Sequence, residues 1–308
     1  MKKAAFLFLV LLLLGATALA QSYTEDITKI GAGARPMGMG KAFVAVSDDI
    51  NSLFLNPAGL GQADRFQFTS MYTSLFDGEL NYVLFGASNP FNFGSLGFGF
   101  ISTGTGQIPS PGPTSITYFD YYDRLFLLSY SLRGPVRFGG GLLRAGVNVK
   151  YFAKGFTDTV NKHGSGVNAD LGIKLDYEDG LSFAANAQNL LGSGISWDTG
   201  AVDSLPSVLK IGAAKRLFDS KLLLAADCDV PASGSLPAPM HAGVEYRYSK
   251  YLTLRAGLDQ SISASSSLVN NLAAGIGLTL DSFRFDYSYR LYQESSMNAA
   301  HFVSFSVL

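Results

Sequence analysis

The chain has 308 residues, of which 47% are hydrophobic, 13% are aromatic and only 15% are charged, and its formal net charge is -1. Soluble domains usually carry about 25% charged residues, and a net charge near zero gives no reason to expect a nucleic-acid partner. The single Cys228 excludes an internal disulfide, and 34 glycines, 23 phenylalanines and 15 tyrosines favour many strands over helices.

The first 20 residues predict a secretory signal peptide. Two lysines follow Met1, an apolar run extends through Leu14, and Ala18 to Ala20 supply small residues at the expected cleavage site. We therefore expect cleavage after Ala20 and export from the cytoplasm. An uncleaved anchor is the alternative, but the purely apolar run is well short of the roughly 20 residues that cross a bilayer.

Residues 21–65 precede the first predicted strand and are rich in glycine between Gly33 and Gly61. Ser47 can cap a helix of about two turns, residues 48–55, whose positive N-terminal end suits Asp48 and Asp49. Pro57 then predicts a turn at residues 56–59, Asn56-Pro57-Ala58-Gly59. Two alternatives stay open: the aspartates can pair with arginines elsewhere, and Asn56 can bond its own turn, the commoner role, or another segment.

From Phe66 onward, apolar residues recur at every second position, the spacing of side chains on one face of a sheet. Between Val167 and Tyr177 the odd-numbered positions are apolar or aromatic, whereas Asn168, Asp170, Lys174 and Asp176 lie on the other face. The pattern predicts fourteen strands, at residues 66–73, 79–88, 94–101, 123–132, 142–154, 165–177, 180–190, 207–217, 220–229, 239–248, 251–260, 271–281, 283–292 and 299–308.

The connections between these strands alternate in length. One set is mostly short, including EDG and DS, and the other is mostly longer and rich in Ser, Gly and Pro, including residues 102–122. Strands of about ten residues with this loop asymmetry predict an all-β fold, a transmembrane antiparallel β-barrel of the outer membrane. A soluble β-sandwich or propeller is the rival, because alternation alone does not distinguish a lipid-facing surface from a core.

The last strand, HFVSFSVL, alternates aromatic or aliphatic residues with serine. It resembles the signal by which bacterial outer-membrane barrels are passed to their insertion machinery, although its final residue is Leu308 and not the usual Phe or Trp. Outer-membrane lipid and the insertion machinery are therefore expected partners.

If the apolar faces contact lipid, the opposite faces line the lumen, since a charge facing lipid at mid-depth costs about 2 to 4 kcal/mol. The inward positions carry both signs, which favours ion pairs that brace the wall over a strongly ion-selective pore. The predicted lumen charge network comprises Arg144, Lys150, Asp170, Lys174, Asp227, Glu245, Arg247, Arg255, Arg284, Asp286 and Arg290.

The third predicted strand contains Gly94, Gly97 and Gly99, and no charge occurs between Leu80 and Ile101. Glycines within a strand mark weak pairing, a bend or a close backbone approach. A break at these glycines would open a lateral route from the lumen toward the membrane, and an unbroken hydrogen-bond ladder through the strand would exclude it.

Residues 34–60, ARPMGMGKAFVAVSDDINSLFLNPAGL, resemble the N-terminal signature of FadL-like outer-membrane barrels, especially of their PorV/PorQ branch. AANAQNLLG, LPSVLKIGAAKRL and HAGVEYRYSKYLTLRAGLD resemble later strands of that branch in order. The resemblance implies a fourteen-stranded barrel, residues 66–308, filled by a hatch, residues 21–65, that contains the turn at Asn56. It also implies trimmed outer loops, because this chain is shorter than typical members.

The resemblance implies two functions. FadL-like barrels pass fatty acids or other hydrophobic compounds, so the leading expectation is a plugged channel for passive transport of small hydrophobic, fatty-acid-like molecules. We expect the hatch to be its gate, with Asp48, Asp49 and the turn at residues 56–59 as the gate residues. PorV is instead associated with type IX secretion, so the alternative is an outer-membrane component that binds or shuttles exported proteins as cargo. A purely structural role in the envelope is a third hypothesis.

The sequence contains no complete version of the enzyme motifs that its glycine-rich stretch and its histidines suggest. The glycine-rich stretch is not a phosphate loop, because that motif requires glycine where Arg35 stands and serine or threonine where Ala42 stands. His163, His241 and His301 are scattered with no metal-site spacing. We therefore expect no cofactor and no enzymatic activity, with an esterase or acyltransferase as the enzymatic alternative.

Overall fold

The computed structural model describes residues 26–112, 115–158, 160–232, 236–263, 266–293 and 299–308. The expected signal peptide and its cleavage site after Ala20 lie outside these ranges. Within them, no helix combines the length and apolar character needed to cross a bilayer.

Fourteen long antiparallel strands form one closed barrel. Each strand pairs with its neighbours along the chain, and the last pairs with the first from Phe68↔Val307 to Ser74↔His301, so the barrel has no free edge. The strands are β1 Gln67–Leu75, β2 Leu80–Phe91, β3 Gly94–Pro111, β4 Ile116–Ser131, β5 Gly141–Phe156, β6 Lys162–Asp176, β7 Leu181–Gln188, β8 Val208–Leu217, β9 Leu222–Pro231, β10 Met240–Arg247, β11 Leu252–Ile262, β12 Leu268–Leu280, β13 Phe283–Leu291 and β14 Ala299–Val307.

The predicted all-β barrel of fourteen strands is confirmed. The prediction of a loop at residues 102–122 is wrong for most of that range, because β3 and β4 continue into it as a long hairpin. Pairs such as Ile108↔Phe119 and Ser110↔Thr117 extend the ladder beyond a register shift between Thr105 and Ile108. Shorter strands, Val136–Phe138, Ile195–Trp197 and Val202–Asp203, lie in the connections.

Side chains alternate between the two surfaces of the wall. Along β13, Phe283, Phe285, Tyr287, Tyr289 and Leu291 are exposed on the outer surface, whereas Arg284, Asp286, Ser288 and Arg290 are buried in the lumen. We call the end of the barrel with the two-residue connections 92–93 and 281–282 the short-turn end, and the opposite end the long-loop end. In outer-membrane barrels the short turns face the periplasm.

The segment before β1 lies inside the barrel and contains short helical turns. These are a 3-10 turn Ile27–Lys29, helix α1 Ala34–Gly38, helix α2 Ser52–Leu55 and a 3-10 turn Pro57–Gln62; a further 3-10 turn, Phe76–Gly78, joins β1 to β2. The predicted helix at residues 48–55 is therefore wrong in its first half. Ser47 does not cap it, because its hydroxyl donates to the Phe43 carbonyl at 2.9 Å.

Candidate functional site

The candidate site is the lumen and the segment that fills it. We divide this segment into the hatch arm, residues 26–34, and the hatch body, residues 35–62. Most described residues in both parts are buried by the barrel wall, although Lys29 of the arm is exposed. Both parts pack against apolar residues of that wall, and the hatch body in addition forms several ion pairs with it.

The hatch arm is surrounded mainly by apolar side chains. Ile27, Ala32 and Ala34 belong to one buried cluster that is completed by wall residues of the neighbouring strands, by the connection before β8 and by apolar residues of the hatch body, which are Met37, Ile50, Leu53, Phe54 and Leu60. Those wall residues, the apolar sector, are Met71, Leu75, Tyr82, Leu84, Ile101, Leu125, Leu127, Phe152, Ile195, Leu205, Ala300 and Phe302. Strands β1 to β5 and β14 supply all but two of them, so the apolar sector is continuous around the closure of the barrel.

A few polar contacts hold the hatch arm. The Tyr82 hydroxyl donates to the Gly31 carbonyl at 2.7 Å, and the Ala34 backbone N–H donates to Ser304 Oγ at 2.6 Å. Asp26 lies 3.2 Å from Lys150 Nζ and accepts from Asn189 at 3.0 Å. Burial alone would raise the pKa of the Asp26 carboxyl, but Lys150 and the hydrogen bonds from neighbouring donors outweigh burial and hold that pKa well below its usual range.

The hatch body is held by ion pairs centred on Arg35. Its guanidinium lies 2.8 Å from Glu245 of β10, 2.6 Å from Asp48 and 2.8 Å from Asp49. Asp48 also contacts Arg216 at 2.8 Å, and Asp49 contacts Arg284 at 2.5 Å. Of the two roles left open by the sequence, the aspartates therefore take the pairing with lumen arginines.

These pairs also determine the protonation of the two carboxyls. Burial by itself would raise the pKa of Asp48 and of Asp49. For Asp48, the charges of Arg35, Arg216 and Lys174 and the hydrogen bond from Arg35 together outweigh burial. For Asp49, the charges of Arg284 and Arg35 and the hydrogen bond from Arg35 do so, and both pKa values therefore lie below the ordinary aspartate range.

Two wall residues bind the backbone of the hatch body. One carboxylate oxygen of Asp227 accepts from the N–H groups of Phe43 at 2.6 Å and Val44 at 2.7 Å. On the other side, Lys174 Nζ donates to the Val46 carbonyl at 2.6 Å. Because these contacts use main-chain groups, they fix the path of the hatch body whatever side chains it carries.

The Asn56 turn has both of the roles that the sequence allowed. The Asn56 side-chain oxygen accepts from the Ala58 N–H at 3.2 Å, which closes its own turn. Its amide donates to the Val44 carbonyl at 3.1 Å and to the Ile173 carbonyl of β6 at 3.3 Å. Pro57 begins the following 3-10 turn, and Ala58 and Gly59 are buried within it.

Opposed pairs of wall glycines form notches for the hatch. A Cβ atom on Gly146 would lie 2.5 Å from the Pro57 carbonyl carbon, and one on Gly257 would lie 2.1 Å from the Gly40 nitrogen. These contacts are too short for a side chain, so glycine is needed for the backbones to approach. The cross-strand pairs are Gly86↔Gly99, Gly146↔Gly172 and Gly243↔Gly257.

The lateral opening expected at Gly94, Gly97 and Gly99 is contradicted. The pairing of β3 with β2 and with β4 is continuous past these residues. Gly97 and Gly99 instead face Leu53 and Phe54 of α2, because Cβ atoms there would lie 2.6 and 2.7 Å from those side chains. The glycines therefore mark a close approach by the hatch and leave the wall unbroken.

All residues of the predicted lumen charge network lie on inward positions of the strands, and most form ion pairs with the wall or the hatch. Arg144 pairs with Asp176, Lys150 with Asp170 at 2.8 Å, and Arg290 with Asp259. Arg255 lies 2.6 Å from Glu245 and 2.7 Å from Asp286, which Arg284 also contacts at 2.8 Å. Within the described ranges, Arg247 alone of this set has no ion pair or side-chain hydrogen bond.

Sequence reasoning missed the residues of the apolar sector, above all Tyr82. The signal was present, because alternation along β2 places Tyr82 and Leu84 on the inward face. An inward tyrosine on an uncharged strand suggests a hydroxyl partner inside the lumen. The identity of that partner, a backbone carbonyl 51 residues away, could not be read from local pattern.

Comparison with solved structures gives the same architecture. The Pseudomonas putida toluene transporter TodX is 15% identical over 90% of this chain and 98% of its own, with a TM-score of 0.61. The monoaromatic hydrocarbon channel CymD is 13% identical over 91% and 98%, with a TM-score of 0.64. A Pseudomonas aeruginosa FadL homologue is 11% identical over 89% and 97%, with a TM-score of 0.50.

These similarities show that the chain has the fold of FadL-type outer-membrane channels. No protein-family model matches the chain, and no curated protein sequence does. None of the three structures is described as a secretion component, so the PorV alternative gains no support from them.

Proposed function

We propose that this protein is a bacterial outer-membrane channel for passive passage of small hydrophobic molecules, with the hatch arm as its gate. The observation that carries the proposal is that the arm lies against an apolar sector and is held by few polar contacts, whereas several ion pairs hold the hatch body to the wall. Two proteins with this fold are a toluene transporter and a monoaromatic hydrocarbon channel, which supports the same class of solute here.

The apolar sector suits an uncharged solute. A small hydrocarbon that replaces the hatch arm keeps Leu84, Phe152 and Phe302 in contact with apolar atoms, and transfer of apolar surface out of water favours its entry by about 25 cal/mol per Å². An ion or a sugar would lose its water there without gaining hydrogen bonds, which costs several kcal/mol.

Displacement of the hatch arm leaves no buried charge without a partner. Lys150 keeps Asp170 at 2.8 Å after Asp26 leaves, and Asp26 returns to water. Displacement of the hatch body is different, because Arg216 and Asp227 would each lose every hydrogen-bonded partner that their described side chains have. A buried polar group that loses its hydrogen bonds costs about 1 to 3 kcal/mol, and more if it is charged, so the arm is the part that opens.

The remaining features of the proposal rest on sequence. The pieces that resemble the PorV/PorQ branch support membership in it, and residues 1–20 support export with cleavage after Ala20. We further propose that the barrel insertion machinery and outer-membrane lipid are its partners, that a hydrophobic small molecule is its ligand, and that it has no enzymatic activity.

Uptake of radiolabelled toluene by cells tests the function. Cells whose outer membrane carries this protein should take up toluene several-fold faster than cells without it, while glycerol uptake stays unchanged. Tyr82→Phe removes the hydroxyl that donates to Gly31 and should raise toluene uptake by about two- to tenfold, the effect of one hydrogen bond on arm opening.

Tyr72→Phe is the matched control, because the Tyr72 hydroxyl donates to Asn81 at 2.8 Å on the exposed outer surface. It should leave uptake unchanged. Equal toluene uptake with and without the protein would rule the function out, and equal effects of the two tyrosine variants would rule out the gate.

A further inference from the structure

A cavity of 440 Å³ lies at the short-turn end, between the hatch body and strands β10 to β13, and Gln67 of β1 and Leu308, which follows β14, also line it. Its lining carries five basic side chains and three acidic ones. A concave surface with low-dielectric walls and an excess of one sign concentrates the opposite ion. The charged residues that line it are Arg35, Asp48, Asp49, Glu245, Arg247, Lys250, Arg255 and Arg284.

The three carboxylates in the cavity are fully engaged. Each of them contacts Arg35 and one further arginine: Asp48 contacts Arg216, Asp49 contacts Arg284, and Glu245 contacts Arg255. They hold the hatch body in place, and all of these ion pairs are with arginines other than Arg247.

Arg247 and Lys250 are the remaining cations of the cavity. In the part of the chain that the structure describes, neither forms an ion pair, and Lys250 only lies over the Tyr251 ring at 4.6 Å. Both belong to the hairpin that joins β10 to β11, where Arg247 is directly opposite Thr253. Thr279 of β12 lies beside the same hairpin, because its N–H donates to the Tyr251 carbonyl at 2.8 Å.

Hydroxyl donors complete the arrangement. Thr253 and Thr279 line the cavity from inward positions of their strands, and no hydrogen bond of either hydroxyl occurs among the described residues. A guanidinium, an ammonium and two hydroxyls on adjacent strands are the groups that bind a tetrahedral oxyanion, because they supply several donors and the neutralising charge.

We propose that this cavity binds a phosphate group, held by Arg247, Lys250, Thr253 and Thr279. The phosphate comes either from free inorganic phosphate or from the headgroup of a phospholipid of the inner leaflet, since the short-turn end faces the periplasm. The site is separate from the apolar sector, and it does not depend on hydrocarbon passage.

Calorimetric titration of the full-length mature protein in a non-ionic detergent tests the site. Inorganic phosphate, added at constant ionic strength against chloride, should bind saturably at one site. Arg247→Ala and Lys250→Ala should each weaken binding by about tenfold or more, the effect of losing a charge-assisted hydrogen bond. Thr253→Val should weaken it less, by about two- to fivefold.

Arg137→Ala is the matched control, because Arg137 is an exposed cation at the same end of the barrel but does not line the cavity. It should bind phosphate like the wild type. Migration of each variant as a folded barrel on a semi-native gel checks its structure, and Arg247→Lys should retain part of the affinity if charge is what matters.

A second titration identifies the source of the phosphate. Tighter binding of dihexanoylphosphatidic acid than of inorganic phosphate would assign the site to a lipid headgroup, and equal or weaker binding would assign it to the free anion. Absence of saturable binding of either probe, or equal losses in Arg247→Ala and Arg137→Ala, would overturn the proposal.

Discussion

Single glycines determine where the hatch contacts the wall. Gly86, Gly99, Gly146 and Gly172 lie on inward positions where a Cβ atom would overlap the hatch. The sequence identified a glycine-rich third strand and allowed a close backbone approach as one interpretation. It could not select that interpretation, because the atoms that occupy the space, such as those of Leu53, come from a distant segment.

Gly146→Ala tests this role. Its Cβ would lie 2.5 Å from the backbone of Pro57, so the Asn56 turn must shift, and such overpacking costs about 1 to 3 kcal/mol. We expect a lower thermal unfolding temperature and faster protease cleavage of the hatch body. Gly134→Ala is the control, because nothing lies within 4 Å of its Cβ position. A Gly146→Ala barrel as stable as the wild type would show that the notch is not needed.

At the scale of elements, the hatch body acts as an electrostatic brace across the lumen. Arg35 and Asp49 connect strands β10 and β13 through Glu245 and Arg284. Alternation along the strands predicted that these wall charges face inward, since side-chain direction is a local property. Their partners could not be predicted, because pairing depends on how the hatch folds back, and the first half of the predicted helix at residues 48–55 was wrong for the same reason.

The brace predicts a pH dependence. The pKa values of Asp48 and Asp49 are lowered in the folded protein, relative to about 3.9 for a free aspartate. A carboxyl with a lowered pKa stabilises the fold above its unfolded pKa, and this stability disappears as pH falls through the folded value. The hatch body should therefore resist proteolysis from about pH 8 to about pH 4 and loosen only below that range.

Arg35→Gln removes the shared partner of both carboxyls, so loosening should begin at a higher pH than in the wild type. Limited proteolysis across a pH series, with an acid-stable protease at the low end, measures both proteins. Loosening of the wild-type hatch body near neutral pH would contradict this account of the brace.

The whole molecule is a closed barrel whose lumen is filled by two parts with different anchoring. Period-two alternation was enough to predict fourteen strands and the inward charges, because both depend on neighbouring residues. The apolar surroundings of the hatch arm were not predictable, since Ile27, Tyr82 and Phe302 come together only when the barrel closes. These surroundings, together with the few polar contacts of the arm, connect the fold to the proposed passage of hydrophobic molecules.

Toluene uptake by two cross-linked variants tests whether the hatch arm opens while the hatch body stays in place. Both use a Cys228→Ser background and a short thiol cross-linker. Asp26→Cys with Asn189→Cys joins the tip of the arm to the wall, where the native side chains are hydrogen-bonded at 3.0 Å. Ala34→Cys with Ser304→Cys joins the base of the arm to β14, where Ala34 N and Ser304 Oγ are 2.6 Å apart.

We expect cross-linking of the tip to abolish toluene uptake by cells and reduction of a cleavable linker to restore it, whereas cross-linking of the base should leave uptake near the wild-type rate. Undiminished uptake with the tip cross-linked, or loss of uptake with the base alone cross-linked, would show that the hatch arm is not the gate.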